Sequence, residues 1–229
     1  MQAITDLLRT LQFGDSALPV GAFSFSNGLE SAIQHGVVHD RETLRQFVTT
    51  AAHQSSAVDG VALLIAHRAA QAGDMQGIIT ADKVVFQRKL NEEMRTMTVR
   101  MGRKLGELAA HIAESEMTRE WLAHVTRGAS PGTYPVGLAL VFASLGMPAR
   151  DAFAVLHYGV ATMMLGAALR LMRISFLETQ SILLEVSATA EAEYASAAEA
   201  TLDDMASFTP MMDILAASHV KAHVRMFMN

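Results

Sequence analysis

Two histidines in the last part of the sequence have the spacing of a metal-ligand pair. His219 and His223 are four residues apart, so a helix would place both imidazoles on one face, where nickel or zinc could bind. An HExxH arrangement is absent, because Val220 follows the first histidine and no nearby acid completes a ligand set. The pair is therefore predicted to be solvated or to contact a partner. A helical metal-binding enzyme that uses these two histidines is kept as an alternative.

The other reactive residue types form no catalytic constellation. The sequence contains no GxxxxGK[ST] phosphate loop, no GxGxxG, no GxSxG nucleophile elbow and no cysteine. The carboxylates of Glu92 and Glu93 are sequence neighbours, so a helix points them in different directions, and we predict a solvated face. We accordingly predict no catalytic residue, no enzyme activity and no cofactor bound by this chain.

Methionine is unusually frequent, with 15 residues, and three of them follow a helical spacing at Met94, Met97 and Met101. We interpret them as adaptable core filling or as a partner surface, which are common uses of this flexible side chain. A helical regulator with a methionine-lined pocket for a small ligand is the second alternative.

One segment has the composition of a functional loop. Residues 18–30 read LPVGAFSFSNGLE and combine Pro19, Gly21 and Gly28 with two phenylalanines and two serines. Loops carry binding and catalytic residues disproportionately often. From the residues alone, a functional loop and an ordinary helix connection are equally good interpretations of this segment, which we call the signature segment.

The elements around these residues are predicted to be helices. The chain is rich in alanine, leucine and methionine, which favour helices, and it has only five prolines. Asn27 is expected to cap the second helix, with Glu30 completing a capping-box-like pair. We predict one all-α domain over 1–229, a single compact unit of roughly ten helices. The helical patterns cover about 4–11, 25–37, 40–51, 59–73, 80–115, 118–127, 134–145, 149–172, 179–202 and 211–227.

Composition also limits the possible partners and location. The net charge is −5 at pH 7 and the 18 basic residues are dispersed, so we expect no nucleic-acid binding. The longest apolar stretches, 136–147 and 159–169, are shorter than the about 20 residues that a membrane span needs. The first ten residues do not resemble a signal peptide. We expect a cytoplasmic protein with no membrane contact.

The signature segment resembles the motif LPVGGFSYSQGLE of the urease accessory protein UreF family. The following GVVHDRETLRQFV is similar to the family's continuation, and residues 91–102, which include Gly102, resemble its central E-x-R…MG stretch. The ending RMFMN resembles the family's RLFxS. These similarities occur in order over nearly the whole chain.

This resemblance implies a non-enzymatic scaffold. Family members are expected to form homodimers and to assemble with UreD (also called UreH), the GTPase UreG and urease apoprotein. The complex would couple GTP hydrolysis to nickel insertion, so that nickel and GTP are used by the complex and not held by this chain. The tail, about 205–229, would depend on a partner for its structure.

The resemblance also suggests roles for individual residues. The expected structural positions of the motifs are Pro19, Gly21, Gly28, Glu30 and Gly102. The expected partner-binding residues are Phe23, Ser24, Ser26, Asn27, Arg170, Arg225 and Phe227. Where the family has LVPLGQ and a Glu in the tail, this chain has Arg173, Ser175, Phe176 and Val220, and the sequence does not determine how these departures change the expected partner contacts.

Overall fold

Every regular element that the structure describes is helical. This structure, a computed structural model, describes residues 3–112, 114–206, 209–219 and 225–228. The all-α prediction is confirmed, and the described ranges contain twelve α-helical segments. They are α1 (Ile4–Gly14), α2 (Leu29–Gln34), α3 (Arg41–Ser55), α4 (Val61–Gln71), α5 (Met75–Gln87), α6 (Glu92–Ile112), α7 (Glu116–Thr126), α8 (Tyr134–Ser144), α9 (Ala149–Leu171), α10 (Phe176–Ser187), α11 (Ala190–Glu199) and α12 (Pro210–His219).

Several helix ends follow from local chemistry. Asp40 caps α3 as predicted, because its carboxylate accepts a hydrogen bond from the Thr43 amide at 2.8 Å and Thr43 completes a capping box. Gly146 has a φ of 67°, and Pro148 precedes α9, so the chain turns sharply between α8 and α9.

Four predicted helices differ from the structure. The pattern over 25–37 is shortened to α2, because Asn27 and Gly28 before it have left-handed φ values. The pattern over 80–115 is divided into α5 and α6, where the side chain of Asn91 accepts a hydrogen bond from the Met94 amide at 2.8 Å. The pattern over 179–202 is divided into α10 and α11. The last described helix, α12, spans Pro210–His219, and residues 225–228 are not helical, so the prediction of one helix over 211–227 was wrong.

The apolar core consists of two clusters. The larger one surrounds α8, whose side chains are buried on nearly all sides between α4, α6 and α9, and it includes Trp121 and Phe142. The smaller one joins α3, α9, α10 and α12, and includes Leu44, Leu165 and Phe227. Since α9 contributes to both clusters, it connects the two halves of the molecule.

A buried carboxylate organises the loop before α8. Asp82 has no exposed surface and accepts hydrogen bonds from the indole of Trp121, the amides of Gly132 and Thr133, and the hydroxyls of Ser130 and Thr133. These donors satisfy a charge that would otherwise be costly to bury.

The same loop approaches α6 very closely at Gly102. A Cβ atom on this glycine would overlap the carbonyl oxygen of Gly132 and the backbone of Thr133. Gly102 therefore allows α6 and the loop to pack backbone against backbone, which a larger residue would prevent.

One described helix, α9, is long and apolar enough to cross a membrane by length and composition alone. It has 23 residues, and the apolar stretch 159–169 noted in the sequence is only part of it. Over half of its most apolar window, 56%, is buried inside the chain. A core helix of a soluble protein passes the same test, so the helix is weak support for a membrane span.

Candidate functional site

The signature segment folds as a loop with three left-handed residues that leads into α2. Gly21 adopts a left-handed φ of 85° and precedes a 3₁₀ turn at Ala22–Ser24. Asn27 and Gly28 are also left-handed, with φ values of 55° and 80°. Glycine takes such conformations at little cost, whereas Asn27 does so as a non-glycine residue. The loop shape is thus encoded mainly by Gly21 and Gly28.

Phe23 lies at the top of this loop with 70% of its surface exposed. Arg170 of α9 supports the loop from below, because its Nη2 donates a hydrogen bond to the Phe23 carbonyl at 3.2 Å. The Nε of the same guanidinium donates to the Gly166 carbonyl at 3.3 Å, which ties it to its own helix. A large aromatic ring is therefore presented to solvent on a fixed backbone.

Glu30 connects the loop to the tail. Its buried carboxylate accepts hydrogen bonds from the backbone amides of Met226 at 2.8 Å and Phe227 at 3.0 Å. The expected capping pair of Asn27 and Glu30 was wrong: the N-cap position of α2 is Gly28, without a side-chain cap. The glutamate instead satisfies backbone donors of a segment almost 200 residues later.

The tail residues 225–228 lie against the loop through two further contacts. The Met228 amide donates to the Ser24 carbonyl at 2.8 Å. The ring of Phe227 is only 5% exposed and lies 4.2 Å from the guanidinium carbon of Arg170, a cation–π geometry. Arg170 therefore contacts both the loop and the tail.

Arg225 is held at the edge of the site by an ion pair. Its Nη1 lies 3.1 Å from the carboxylate of Glu93 on α6, and the two side chains are 41% and 12% exposed. Glu93 had been predicted to lie on a solvated face, and that prediction was wrong. The pair attaches the tail to a third element in addition to the loop and α9.

The two polar residues in the middle of the loop face inward. Ser26 is buried, and its hydroxyl accepts a hydrogen bond from the Glu30 amide at 3.3 Å. The side-chain amide of Asn27 donates to the sulfur of Met164 at 3.7 Å. Both side chains thus support the loop from inside, and the partner roles predicted for Ser24, Ser26, Asn27 and Phe227 stay predictions.

A largely apolar cavity of ≈ 180 Å³ lies beneath the loop, between α1, α6, α8 and α9. Leu18, Val20 and Phe23 of the signature segment form part of its wall, together with Met97 and Met163. At one end Lys89 and Asp59 form an ion pair at 2.7 Å, with both side chains mostly buried. The charges at this end therefore neutralise each other.

No group of three or more histidine, aspartate and glutamate side chains that could hold a metal occurs in the described part of the chain. Of the two candidate metal ligands, His223 lies outside the described residues. His219 is the last residue of α12, and its side chain is outside the description as well. The structure therefore does not test whether His219 and His223 can bind a metal ion together.

The arrangement as a whole suits binding rather than catalysis. It combines an exposed aromatic residue with a loop that accepts three hydrogen bonds from backbone amides of the tail. Arg170 of α9 contacts both parts, through a hydrogen bond to the loop and a cation–π contact with Phe227. Glu30, Arg170 and the tail were each predicted to matter, but the contacts of the tail with Glu30, Arg170 and Glu93 were not predicted. In the sequence, the only sign that Glu30 is buried and bonded to another segment is its position between the apolar residues Leu29 and Ala32.

Comparison with known proteins gives consistent matches over the chain. The family model UreF matches residues 38–187. Urease accessory protein UreF 2 of Brucella canis is 60% identical over 228 residues, which cover 100% of this chain and 94% of the relative. Urease accessory protein UreF of Yersinia pestis is 49% identical over 225 residues, covering 98% of this chain and 99% of the relative.

Proposed function

The chain belongs to the UreF family of urease accessory proteins, and from that membership we propose that it is a scaffold for nickel insertion into urease. In this proposal it assembles with UreD (UreH) and the GTPase UreG, and the complex couples GTP hydrolysis to nickel delivery into urease apoprotein. The chain itself performs no catalytic step and binds no nucleotide. The complex transfers nickel and hydrolyses GTP.

The observation that carries this proposal is the exposed Phe23 on its fastened loop. Residues at the centre of protein interfaces are enriched in aromatic side chains that insert into a partner pocket. A ring that is 70% exposed, on a backbone fixed by Arg170, loses little conformational freedom when a partner binds. We assign this surface to UreG.

Three further features belong to the same proposal. The chain acts as a homodimer in the cytoplasm, without contact to membrane or nucleic acid. Arg225 lies at the rim of the surface, where its 41% exposed guanidinium can exchange Glu93 for an acidic group of a partner. Direct nickel binding by this chain forms no part of the proposal.

Urease maturation in cells tests this function. A urease operon that lacks only the gene for this chain is complemented with the wild type, with Phe23→Ala or with Leu184→Ala, and urease activity and nickel per urease are measured. Leu184 is a matched control, because it is a large apolar residue that is 76% exposed and lies on α10, outside the signature segment. We expect the wild type and the control to restore both quantities and Phe23→Ala to restore neither.

Two results would reject the proposal or part of it. If the wild type fails to raise nickel per urease, the accessory role in metal insertion is wrong. If Phe23→Ala matures urease as well as the control variant does, the partner surface lies elsewhere on the chain.

A further inference from the structure

Met228 combines a partly exposed side chain with a contact that holds the signature loop. The residue is 45% exposed, and the Nη1 of Arg100 donates a hydrogen bond to its Sδ at 3.6 Å. Its backbone amide donates to the Ser24 carbonyl at 2.8 Å. A chemical change at this sulfur therefore occurs next to the contact between the tail and the loop.

The recess beside Met228 is large enough for small oxidants. It has a volume of ≈ 220 Å³ and is lined by Phe25, Glu92, Glu93, Thr96, Arg100 and Met228. A water molecule occupies about 30 Å³ in the liquid, and hydrogen peroxide is only slightly larger, so the recess admits it. Methionine oxidation follows such accessibility.

We propose that Met228 is a reversible oxidation site, at which hydrogen peroxide forms a sulfoxide that Arg100 binds more tightly than the thioether. The sulfur lone pair attacks one peroxide oxygen, and the O–O bond breaks. That oxygen stays on the sulfur, while the other leaves as water after a proton transfer. The sulfur is oxidised by two electrons and the peroxide is reduced by two, and methionine sulfoxide reductases catalyse the return.

The positive charge of Arg100 determines the direction of the effect. A thioether is a weak acceptor, whereas a sulfoxide carries a strongly polar oxygen. Hydrogen bonds that involve an ionised donor are about twice as strong as neutral ones. A sulfoxide in a packed core disrupts it, but here the new oxygen meets a guanidinium at the surface, so oxidation fastens the tail more firmly to α6.

Other methionines of the chain supply internal controls. Met211 on α12 is 57% exposed and Met226 is 59% exposed, so both should also react with peroxide. Met164 has no exposed surface and should stay reduced. The proposed tightening belongs to Met228 alone, because its sulfur accepts the hydrogen bond from Arg100.

Mass spectrometry on the purified full chain tests this inference. The protein is treated with dilute hydrogen peroxide, the oxidised residues are identified by peptide mapping, and hydrogen exchange of the amides at 226–228 is followed. We expect a sulfoxide at Met228 and exchange about five- to tenfold slower than in the untreated protein. The inference concerns contacts within this chain, so its outcome is independent of partner binding.

Two variants identify the cause of any change. Met228→Leu should abolish the slower exchange, although Met211 and Met226 are still oxidised. Arg100→Gln should allow the sulfoxide to form without slowing exchange. The inference is overturned if Met228 stays reduced while Met211 reacts, if oxidation leaves exchange unchanged or accelerates it, or if either variant still shows the slower exchange.

Discussion

Replacing Glu30 with alanine removes the carboxylate to which the tail is bonded. The change deletes the two acceptors for the amides of Met226 and Phe227, at 2.8 and 3.0 Å, and the long hydrogen bond from Gln34 at 3.5 Å. It does not remove the hydrogen bond from the Met228 amide to the Ser24 carbonyl. Its effect therefore reports how strongly residues 225–228 are fastened to the signature segment.

The expected magnitude follows from these two hydrogen bonds. Each bond to a charged group contributes about 1.5–3 kcal/mol, so an upper limit is about 3–6 kcal/mol. The tail can detach, however, and its freed amides then bond to water, which limits the cost to about 2–3 kcal/mol. Because 1.4 kcal/mol corresponds to a factor of ten, the open state of the tail should become about 30- to 150-fold more populated.

Hydrogen exchange at the amides of Met226 and Phe227 measures this population directly. Glu42→Ala is the control, since Glu42 lies on α3 and pairs with Arg45 in an exposed salt bridge that contributes little to stability. Faster exchange in Glu30→Ala, with no change in the control, is the expected result. If exchange in the tail is the same in both variants, the carboxylate does not fasten the tail and the description of the site is wrong.

Three further predictions concern the interior and are checked by urea denaturation. Gly102→Ala should lower the free energy of unfolding by about 1–3 kcal/mol through overlap with the next loop, whereas Gly159→Ala, whose Cβ meets no atom within 4 Å, should raise it by about 0.5–1 kcal/mol. Asp82→Ala should cost at least about 3 kcal/mol because several buried donors lose their acceptor, and a cost below 1 kcal/mol would contradict this. Burial raises the pKa of Glu193, but this is outweighed by the nearby imidazole of His157, whose Nε2 lies 3.4 Å from the carboxylate, and by the hydroxyl of Thr189, which donates a hydrogen bond at 2.9 Å. The pKa of Glu193 in the folded protein therefore lies below the ordinary 4.5. The stability that this carboxylate contributes is thus present above pH 4.5 and lost as the pH falls through the folded pKa. Glu193→Gln should therefore make the free energy of unfolding less dependent on pH in that range. If the free energy of unfolding changes equally with pH in both proteins, the pKa of Glu193 is not lowered by folding.

Local patterns predicted the helices and many of their ends. The apolar periodicity identified the all-α class, and Asp40 was recognised as a cap because its side chain acts on the amide three residues later. The break between α5 and α6 was missed, because it contains neither glycine nor proline and depends on the side chain of Asn91. Chemistry of this kind gives no signal in hydrophobic periodicity.

Contacts between distant residues were the main part that the sequence could not supply. Glu30 and Phe227 are separated by 197 positions, and nothing in either local pattern indicates that one bonds to the other. The network of Asp82 was missed for the same reason, although an acid beside the buried residues Ile78 and Val85 is a recognisable anomaly in an apolar helix face. A buried carboxylate requires hydrogen-bond donors, but the sequence does not indicate which residues supply them.

The central claim is that Phe23, presented by the fastened loop, binds a partner. The most direct measurement mixes the purified chain with UreD and UreG in the presence of GTP and determines the mass of the complex by size exclusion with light scattering. We expect a complex with two copies of this chain for the wild type and for Leu184→Ala, and loss of UreG for Phe23→Ala. A complex of unchanged mass and composition with Phe23→Ala would contradict the account.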